Sequence, residues 1–150
     1  MSEDLIQAAR EEIEAFNAGD WERLGAGVTD DTAHEEPATG RSVRGRDALI
    51  ELNRGWKEAF PDATGTVTDA FACGDRVALR ITWEGTQSGP LHLAEGGQIP
   101  PTGKRVTVHG CQVFRMVDGK VAESVHYFDA LGMLEQLGAI TAEEPAHADS

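Results

Sequence analysis

The sequence predicts a single domain of the α+β class, with helices first and a curved antiparallel or mixed sheet afterwards. Apolar residues recur with the 3.6-residue period of a helix in residues 4–18 and 46–60, and in the stretches predicted as strands between residues 64 and 128 they alternate with a period of two. Helices and strands that are segregated in this way are typical of α+β proteins. A sheet that curves around a helical pair encloses a cone-shaped space, which is a natural place for an apolar ligand.

Three helices are predicted in the first part of the chain, over residues 4–18, 20–28 and 46–60. Turn residues in the stretch NAGDW separate the first two, and Pro61 closes the third. Between the second and third helices, DDTAHEEPATGRSVRG predicts a short extended segment that stops at Pro37, followed by a loop bounded by glycines. The apolar side of the first helix consists of Leu5, Ile6, Ala9, Ile13 and Phe16, and that of the third of Leu49, Leu52, Trp56 and Phe60.

Four strands follow. The tight turn CGD separates the first strand from the second, and the tight turn VDGK separates the third from the fourth. The long loop between the middle two strands, SGPLHLAEGGQIPPTG, is rich in glycine and proline and is a candidate lid or rim for the cone. The predicted strands are residues 64–73, 76–87, 104–117 and 120–128.

The chain is expected to close with one more helix and a tail. A short helix is predicted over residues 130–138, with Asp129 as its N-cap. The stretch TAEEPAHADS after it is acidic and has no apolar periodicity. We therefore expect one domain over residues 1–140 and a flexible acidic tail over 141–150.

Composition excludes several classes of protein. The net charge of −13 opposes binding to nucleic acid and to anionic membranes, because their phosphates would be repelled. No apolar run reaches the roughly 18 residues that span a bilayer, and the acidic N-terminus does not resemble a signal peptide, so a cytoplasmic location is expected. Cys73 and Cys111 form no metal-binding motif and are expected to be free thiols.

Several separated motifs carry a resemblance to a known family. In chain order they are NAGDW with VTDDTAHEEP, WKEAFPD, GDRVALRITWEGTQSG, IPPTGKRVTVHG, VFRMVDGKVAES and FDALGMLEQLG. Together they resemble the SnoaL-like polyketide cyclases, also called ester cyclases, of the nuclear transport factor 2-like (NTF2-like) superfamily. The resemblance covers roughly residues 5 to 140 and implies a cone-shaped α+β barrel. Because this fold hosts cyclases, isomerases, dehydratases, epoxide hydrolases and non-catalytic members, it does not by itself specify a reaction.

The resemblance assigns three positions to the pocket. Relatives commonly carry an acid/base aspartate three residues before the aspartate that opens the final helix, and here that position is His126. A pocket acid or histidine of several relatives, two residues before the FR pair, corresponds to Gln112, which cannot titrate. The position of the ketosteroid isomerase base, just before the proline of the first extended segment, is Glu36. That isomerase's oxyanion-hole tyrosine has no counterpart in the first helix, and the second acid of the epoxide hydrolases is absent after Arg80.

These positions lead us to expect a cofactor-free cyclase or isomerase that acts on a hydrophobic, polyketide-like carbonyl compound by general acid/base proton transfer. His126 is the expected principal acid/base, because an imidazole with a pKa near 6.5 both takes and returns protons at neutral pH. Glu36 is its expected partner, with a pKa raised by apolar surroundings, and Gln112 is expected to donate a hydrogen bond to an enolate oxygen. The other expected substrate contacts are His34, Trp56, Phe60, Arg80, Trp83, Phe114 and Ser124.

Each assignment has an alternative. His126 is equally consistent with a pocket histidine that only forms hydrogen bonds, Glu36 with a solvated carboxylate, and Arg80 with an ion pair instead of a ligand contact. The spacing of His34, Glu36 and His126 does not demand a metal, so no metal site is expected. The competing hypothesis for the whole protein is a non-catalytic module that binds a small hydrophobic molecule, because neither His126 nor Gln112 is the acid that the cyclases would offer.

The predicted sheet also indicates a homodimer. Residues 76–87 and 104–117 carry apolar side chains on both strand faces, and the face turned away from the helices would be a larger apolar patch than monomers usually expose. Relatives commonly bury this face by pairing two sheets. Because both subunits are acidic, the dimer should tighten as salt screens their repulsion. Light scattering over a range of protein and salt concentrations checks this, and a mass of 16.1 kDa at micromolar concentration in high salt would contradict it.

Overall fold

The computed structural model describes residues 2–93 and 96–140, and it confirms an α+β fold with N-terminal helices, a curved mixed sheet and a short C-terminal helix. The predicted acidic tail, 141–150, lies outside the described residues. No helix in the described part of the chain is long and apolar enough to cross a membrane. The helices are α1 (Ser2–Ala18), α2 (Trp21–Ala26), α3 (Arg46–Ala59) and α4 (Ala130–Gln136). The strands are β1 (Val28–Glu36), β2 (Arg41–Arg44), β3 (Thr64–Cys73), β4 (Arg76–Thr86), β5 (Leu91–His92), β6 (Gln98–Ile99), β7 (Arg105–Val117) and β8 (Lys120–Phe128).

Three short strands were not predicted. β2 lies between Gly40 and Gly45, which both have positive φ, and it pairs with β1 at the edge of the sheet. Its four residues, RSVR, are too few and too polar to show the alternation that marks a strand. β5 and β6 form a small hairpin inside the long glycine- and proline-rich loop. Each of these two strands has only two residues, so backbone pairing alone reveals them.

The main sheet has the strand order β2-β1-β8-β7-β4-β3. β1 pairs with β8 in parallel, whereas the other neighbours are antiparallel, so the sheet is mixed. This order brings the first long strand beside the last one. The register then places His34 beside Ser124, and Gln112 beside His126. Side chains from distant parts of the sequence therefore meet on one face of the sheet.

The core lies between the concave face of the sheet and the helices. Phe114, Leu79 and Ile81 are at most 1% exposed and pack against the apolar side of α1. Burial of a side chain of this size contributes about 1.5–3 kcal/mol. A second cluster joins the end of α3 to α4 and to the long loop, and it consists of Ala59, Phe60, Leu91, Val106, Val108, Met133 and Leu137. Asp129 caps α4 as predicted, because its side chain accepts a hydrogen bond from Gly132 N.

Gln87 anchors the long loop from inside the protein. The residue is fully buried, and its Nε2 donates to the carbonyl oxygens of Gly89, Ile99 and Pro100 over 3.1–3.2 Å. Its Oε1 accepts from the Thr102 hydroxyl at 2.8 Å. The described residues of this loop do not line the cavity; the loop packs over the second cluster through Leu91.

Replacement of Gln87 with leucine should therefore destabilise the protein strongly. The variant leaves three backbone carbonyls and a threonine hydroxyl without their buried partner. We expect the free energy of unfolding to fall by about 3 kcal/mol. Urea unfolding measures this, with Gln98→Leu as the control, because Gln98 is exposed in the same loop. A loss below about 1 kcal/mol would show that Gln87 does not hold the loop.

Candidate functional site

A cavity of about 120 Å³ lies between the concave face of the sheet and helices α1 and α3. Its walls are mainly apolar and aromatic. A few polar groups interrupt this lining, which is the usual composition of a small-molecule site. The polar side chains that line the cavity include Glu12, His34, Glu36, Gln112, Ser124 and His126.

Glu36 is a buried carboxylate held by two hydrogen bonds. It is the last residue of β1 and is 3% exposed. Its Oε2 accepts from Trp56 Nε1 at 2.9 Å, and its Oε1 accepts from the Thr39 hydroxyl at 3.1 Å. His34 Nε2 lies 3.7 Å from Oε2. The two donors and the nearby imidazole favour the charged form of the carboxyl group.

The pKa of Glu36 was expected to rise, and this expectation is wrong. Burial raises the pKa of Glu36, but His34 and the hydrogen bond from Trp56 together lower it by more than burial raises it. The resulting pKa is below the ordinary 4.5. The sequence does not show that α3 places an indole N–H against this carboxylate. Glu36 is therefore ionised at neutral pH inside an apolar cavity.

Ser124 and Glu36 flank His34. The Nδ1 atom of His34 lies 2.6 Å from Ser124 Oγ, and its Nε2 faces the carboxylate of Glu36. The imidazole is thus fixed between β8 and the end of β1. No group of three or more His, Cys, Asp or Glu residues within 2–93 and 96–140 is arranged to hold a metal ion.

His126 is bound by an indole. Trp83 Nε1 donates to His126 Nε2 over 3.2 Å, so this nitrogen carries no proton and the neutral ring is protonated on Nδ1. The ring also packs against Phe128, with the ring centroids 5.0 Å apart. Burial is the main cause that lowers the pKa of His126 to about 4; His34 adds to the effect and Glu36 opposes it. His126 is therefore uncharged at neutral pH and does not have the ordinary pKa that the sequence suggested.

Gln112 has an unused side-chain amide. It lies opposite His126 in the β7–β8 pair and is 9% exposed. No residue in the described part of the chain forms a hydrogen bond with this amide, although its neighbours in the cavity do form such bonds. The amide group can therefore donate a hydrogen bond to a ligand.

The structure places the remaining predicted contact residues as follows. His34, Trp56, Phe60, Trp83, Phe114 and Ser124 all line the cavity. Arg80 does not, and its prediction as a substrate contact is wrong. It is exposed on the outer face of β4, because its neighbours Leu79 and Ile81 point inward and side chains alternate along a strand.

Sequence reasoning missed Glu12, a cavity residue on α1. Glu11, next to it, is directed away and forms an ion pair with Arg23. Glu12 instead lies on the apolar side of the helix, three residues after Ala9 and four before Phe16, and is 8% exposed. The same helical period that predicted α1 would have identified an acid in its apolar stripe.

Comparison with known proteins agrees with this architecture. The family model described as SnoaL-like polyketide cyclase matches residues 6–137. Comparison with curated proteins finds no significant match.

Several solved structures are similar to this chain in fold. AclR from Streptomyces galilaeus, named as a candidate hydroxylase, is 30% identical; the match covers 94% of this chain and 85% of AclR, with a TM-score of 0.78. IdmH from Streptomyces antibioticus, named as a candidate polyketide cyclase, is 31% identical over 88% of this chain and 96% of IdmH, with a TM-score of 0.74. A protein from Catenulispora acidiphila with a ketosteroid isomerase-like fold, solved with trimethylamine, is 17% identical over 87% of this chain and 92% of its own, with a TM-score of 0.73. These similarities confirm the NTF2-like fold that the sequence motifs implied.

Proposed function

The chain belongs to the SnoaL-like polyketide cyclase family, and on that premise we propose that it is a cofactor-free enzyme that moves a proton on a hydrophobic carbonyl compound, as a cyclase or isomerase does. One observation carries the proposal: a buried, ionised carboxylate, Glu36, shares an apolar cavity with the unpartnered amide of Gln112. A base and a hydrogen-bond donor in a site sheltered from water are the groups that enolate formation requires.

In the proposed reaction Glu36 takes a proton from the carbon next to the substrate carbonyl. The electron pair of the broken C–H bond moves onto the carbonyl oxygen and gives an enolate. Gln112 donates a hydrogen bond to that oxygen, and the Nδ1–H group of neutral His126 is a second donor. In a cyclisation the enolate carbon then attacks a second carbonyl of the substrate and closes a ring, and the alkoxide that forms takes the proton from Glu36. In an isomerisation the substrate is an unsaturated ketone, and its extended enolate takes the proton back from Glu36 at the γ carbon.

This scheme changes the order of the roles inferred from the sequence. The sequence predicts His126 as the principal acid/base and Glu36 as its partner. A pKa of about 4 makes His126 a poor proton carrier at neutral pH, and its Nε2 is already engaged by Trp83. Glu36 has the charge that a base needs, so we assign it the proton transfer and assign His126 a hydrogen-bonding role.

A non-catalytic binding module is the second candidate. What favours it is that Glu36 and His126 both have hydrogen-bond partners within the protein, as purely structural groups do. The exchange of the α hydrogens of 2-tetralone in D₂O, followed by NMR, separates the two candidates. An enzyme of the proposed kind accelerates the exchange with saturation kinetics. A binding module binds the ketone and leaves the exchange rate at the level of buffer, which would overturn the proposal.

Replacement of His126 with alanine should slow this exchange by on the order of 10². The change removes the second donor to the enolate oxygen and the ring that Trp83 binds. Tyr127→Ala is a matched control, because Tyr127 is the next residue on β8 but is 53% exposed on the opposite face. Equal rates for the two variants would remove His126 from the mechanism.

A further inference from the structure

Glu12 is a buried acid that the proposed reaction does not use. Its side chain lines the same cavity as Glu36 and is 8% exposed. Within residues 2–93 and 96–140, its Oε2 is the single side-chain nitrogen or oxygen that is fully enclosed, with less than 1 Å² accessible, and has no hydrogen-bond partner. A buried polar atom without a partner lowers stability, so the Glu12 carboxyl group would gain the missing hydrogen bond by turning toward a ligand in the cavity that it lines.

Gly27 provides the space that the Glu12 carboxyl group occupies. A Cβ atom at position 27 would overlap Glu12 Oε2, whereas the φ of Gly27, −93°, is open to any residue. The carboxyl group, and not the backbone, is thus what requires glycine there. The neighbouring acid, Glu11, points away from the cavity and forms an ion pair with Arg23.

Glu12 lies far from Gln112 and His126 along the cavity. The carbonyl oxygen of Gly27 accepts from Val121 N, so Glu12 lies beside the beginning of β8. His126 is five residues further along this strand, a distance of about 16 Å at the usual rise of a strand. The cavity wall between the two ends includes Phe16 and Phe114.

We propose that Glu12 is a ligand-binding residue whose neutral carboxyl group donates a hydrogen bond to a carbonyl oxygen at the end of the substrate remote from Gln112. The inference rests on the proposed function only in taking the ligand to be a carbonyl compound. Burial, and secondarily the charge of Glu11, raises the pKa of Glu12 to about 8, so the proton that it donates is present at neutral pH. The matching substrate is an elongated, mainly apolar molecule with an oxygen at each end.

Two probes of similar shape test this assignment. 1,4-Diacetylbenzene carries a ketone at both ends, and 4-isopropylacetophenone replaces one acetyl group with an apolar group. Their dissociation constants are measured by NMR titration for the wild-type protein, Glu12→Leu and Glu12→Gln. We expect the wild type to bind the diketone about tenfold more tightly than the monoketone. Glu12→Leu should lose this preference, and Glu12→Gln should keep it because an amide N–H also donates.

The outcomes separate this inference from the proposed function, because binding is measured and not turnover. A protein that prefers the diketone through Glu12 but does not accelerate α-hydrogen exchange would refute the enzyme and leave the inference standing. An unchanged preference in Glu12→Leu, a lost preference in Glu12→Gln, or a wild type that does not distinguish the probes would each overturn the inference. Thermal unfolding verifies that both variants fold. Gly27→Ala displaces the carboxyl group without removing it, and should also weaken the preference.

Discussion

Replacement of Glu36 with glutamine is expected to slow the exchange of the α hydrogens of 2-tetralone by on the order of 10³. The amide has the shape of the carboxylate but cannot accept a proton from carbon. Its oxygen can still accept the hydrogen bond that Trp56 donates, so the fold should survive the change. The exchange rate in D₂O, measured by NMR at saturating ketone, gives the effect directly.

Glu35→Gln is the matched control for this experiment. Glu35 precedes Glu36 on β1, but it is exposed because side chains alternate along the strand. Both variants lose one negative charge, so a general change in electrostatics would affect them alike. A rate for Glu36→Gln within threefold of the Glu35→Gln rate would exclude Glu36 as the base.

The second large effect is a loss of folding stability as the pH rises above 6.5. Glu12 has a pKa of about 8 in the folded protein and an ordinary value of 4.5 when unfolded, so between these values only the folded state holds its proton. The contribution of Glu12 to stability therefore falls as pH rises, by about 1.4 kcal/mol per unit. His126 acts in the opposite direction: its folded pKa of about 4 lies below the ordinary 6.5, so its contribution rises with pH between these two values.

The two groups offset each other up to about pH 6.5, and above that pH only the fall due to Glu12 remains. We expect the free energy of unfolding to decrease by about 1 kcal/mol between pH 6.5 and pH 8, because Glu12 is already half titrated at pH 8. Urea unfolding at constant ionic strength measures this decrease. Glu12→Gln should abolish it, whereas Glu14→Gln, on the exposed side of α1, should retain it. The same decrease in Glu12→Gln would show that another group is responsible.

Much of the fold and part of the site follow from local sequence patterns. The family resemblance assigned Gln112 and His126 to one pocket, with Ser124 as a further contact, and all three residues line the cavity. The helix periods and the Asp129 cap were also predicted, since each depends on residues within a few positions of one another. Arg80 does not reach the cavity because side chains alternate along β4, which turns Arg80 outward between Leu79 and Ile81.

The electrostatics of the site could not be predicted, because they depend on contacts between distant parts of the chain. Trp56 is 20 residues from Glu36 in sequence, and Trp83 is 43 from His126, yet these two indoles hold the carboxylate and the imidazole. The sequence predicts both indoles in the pocket wall, but it does not show that each donates a hydrogen bond to an ionisable group. His34 and the Trp56 hydrogen bond together hold the pKa of Glu36 below its ordinary value despite burial, and burial lowers the pKa of His126.

The dependence of the exchange rate on pH tests most directly whether Glu36 is the base. Because the pKa of Glu36 lies below 4.5 and that of His126 is about 4, neither group changes charge between pH 5.5 and pH 7.5. After subtraction of the buffer rate, we predict that the protein-catalysed exchange of 2-tetralone at saturation stays constant within twofold over this interval. A rate that falls about tenfold from pH 7.5 to pH 5.5 would identify a base with the ordinary pKa of a histidine and would contradict the account.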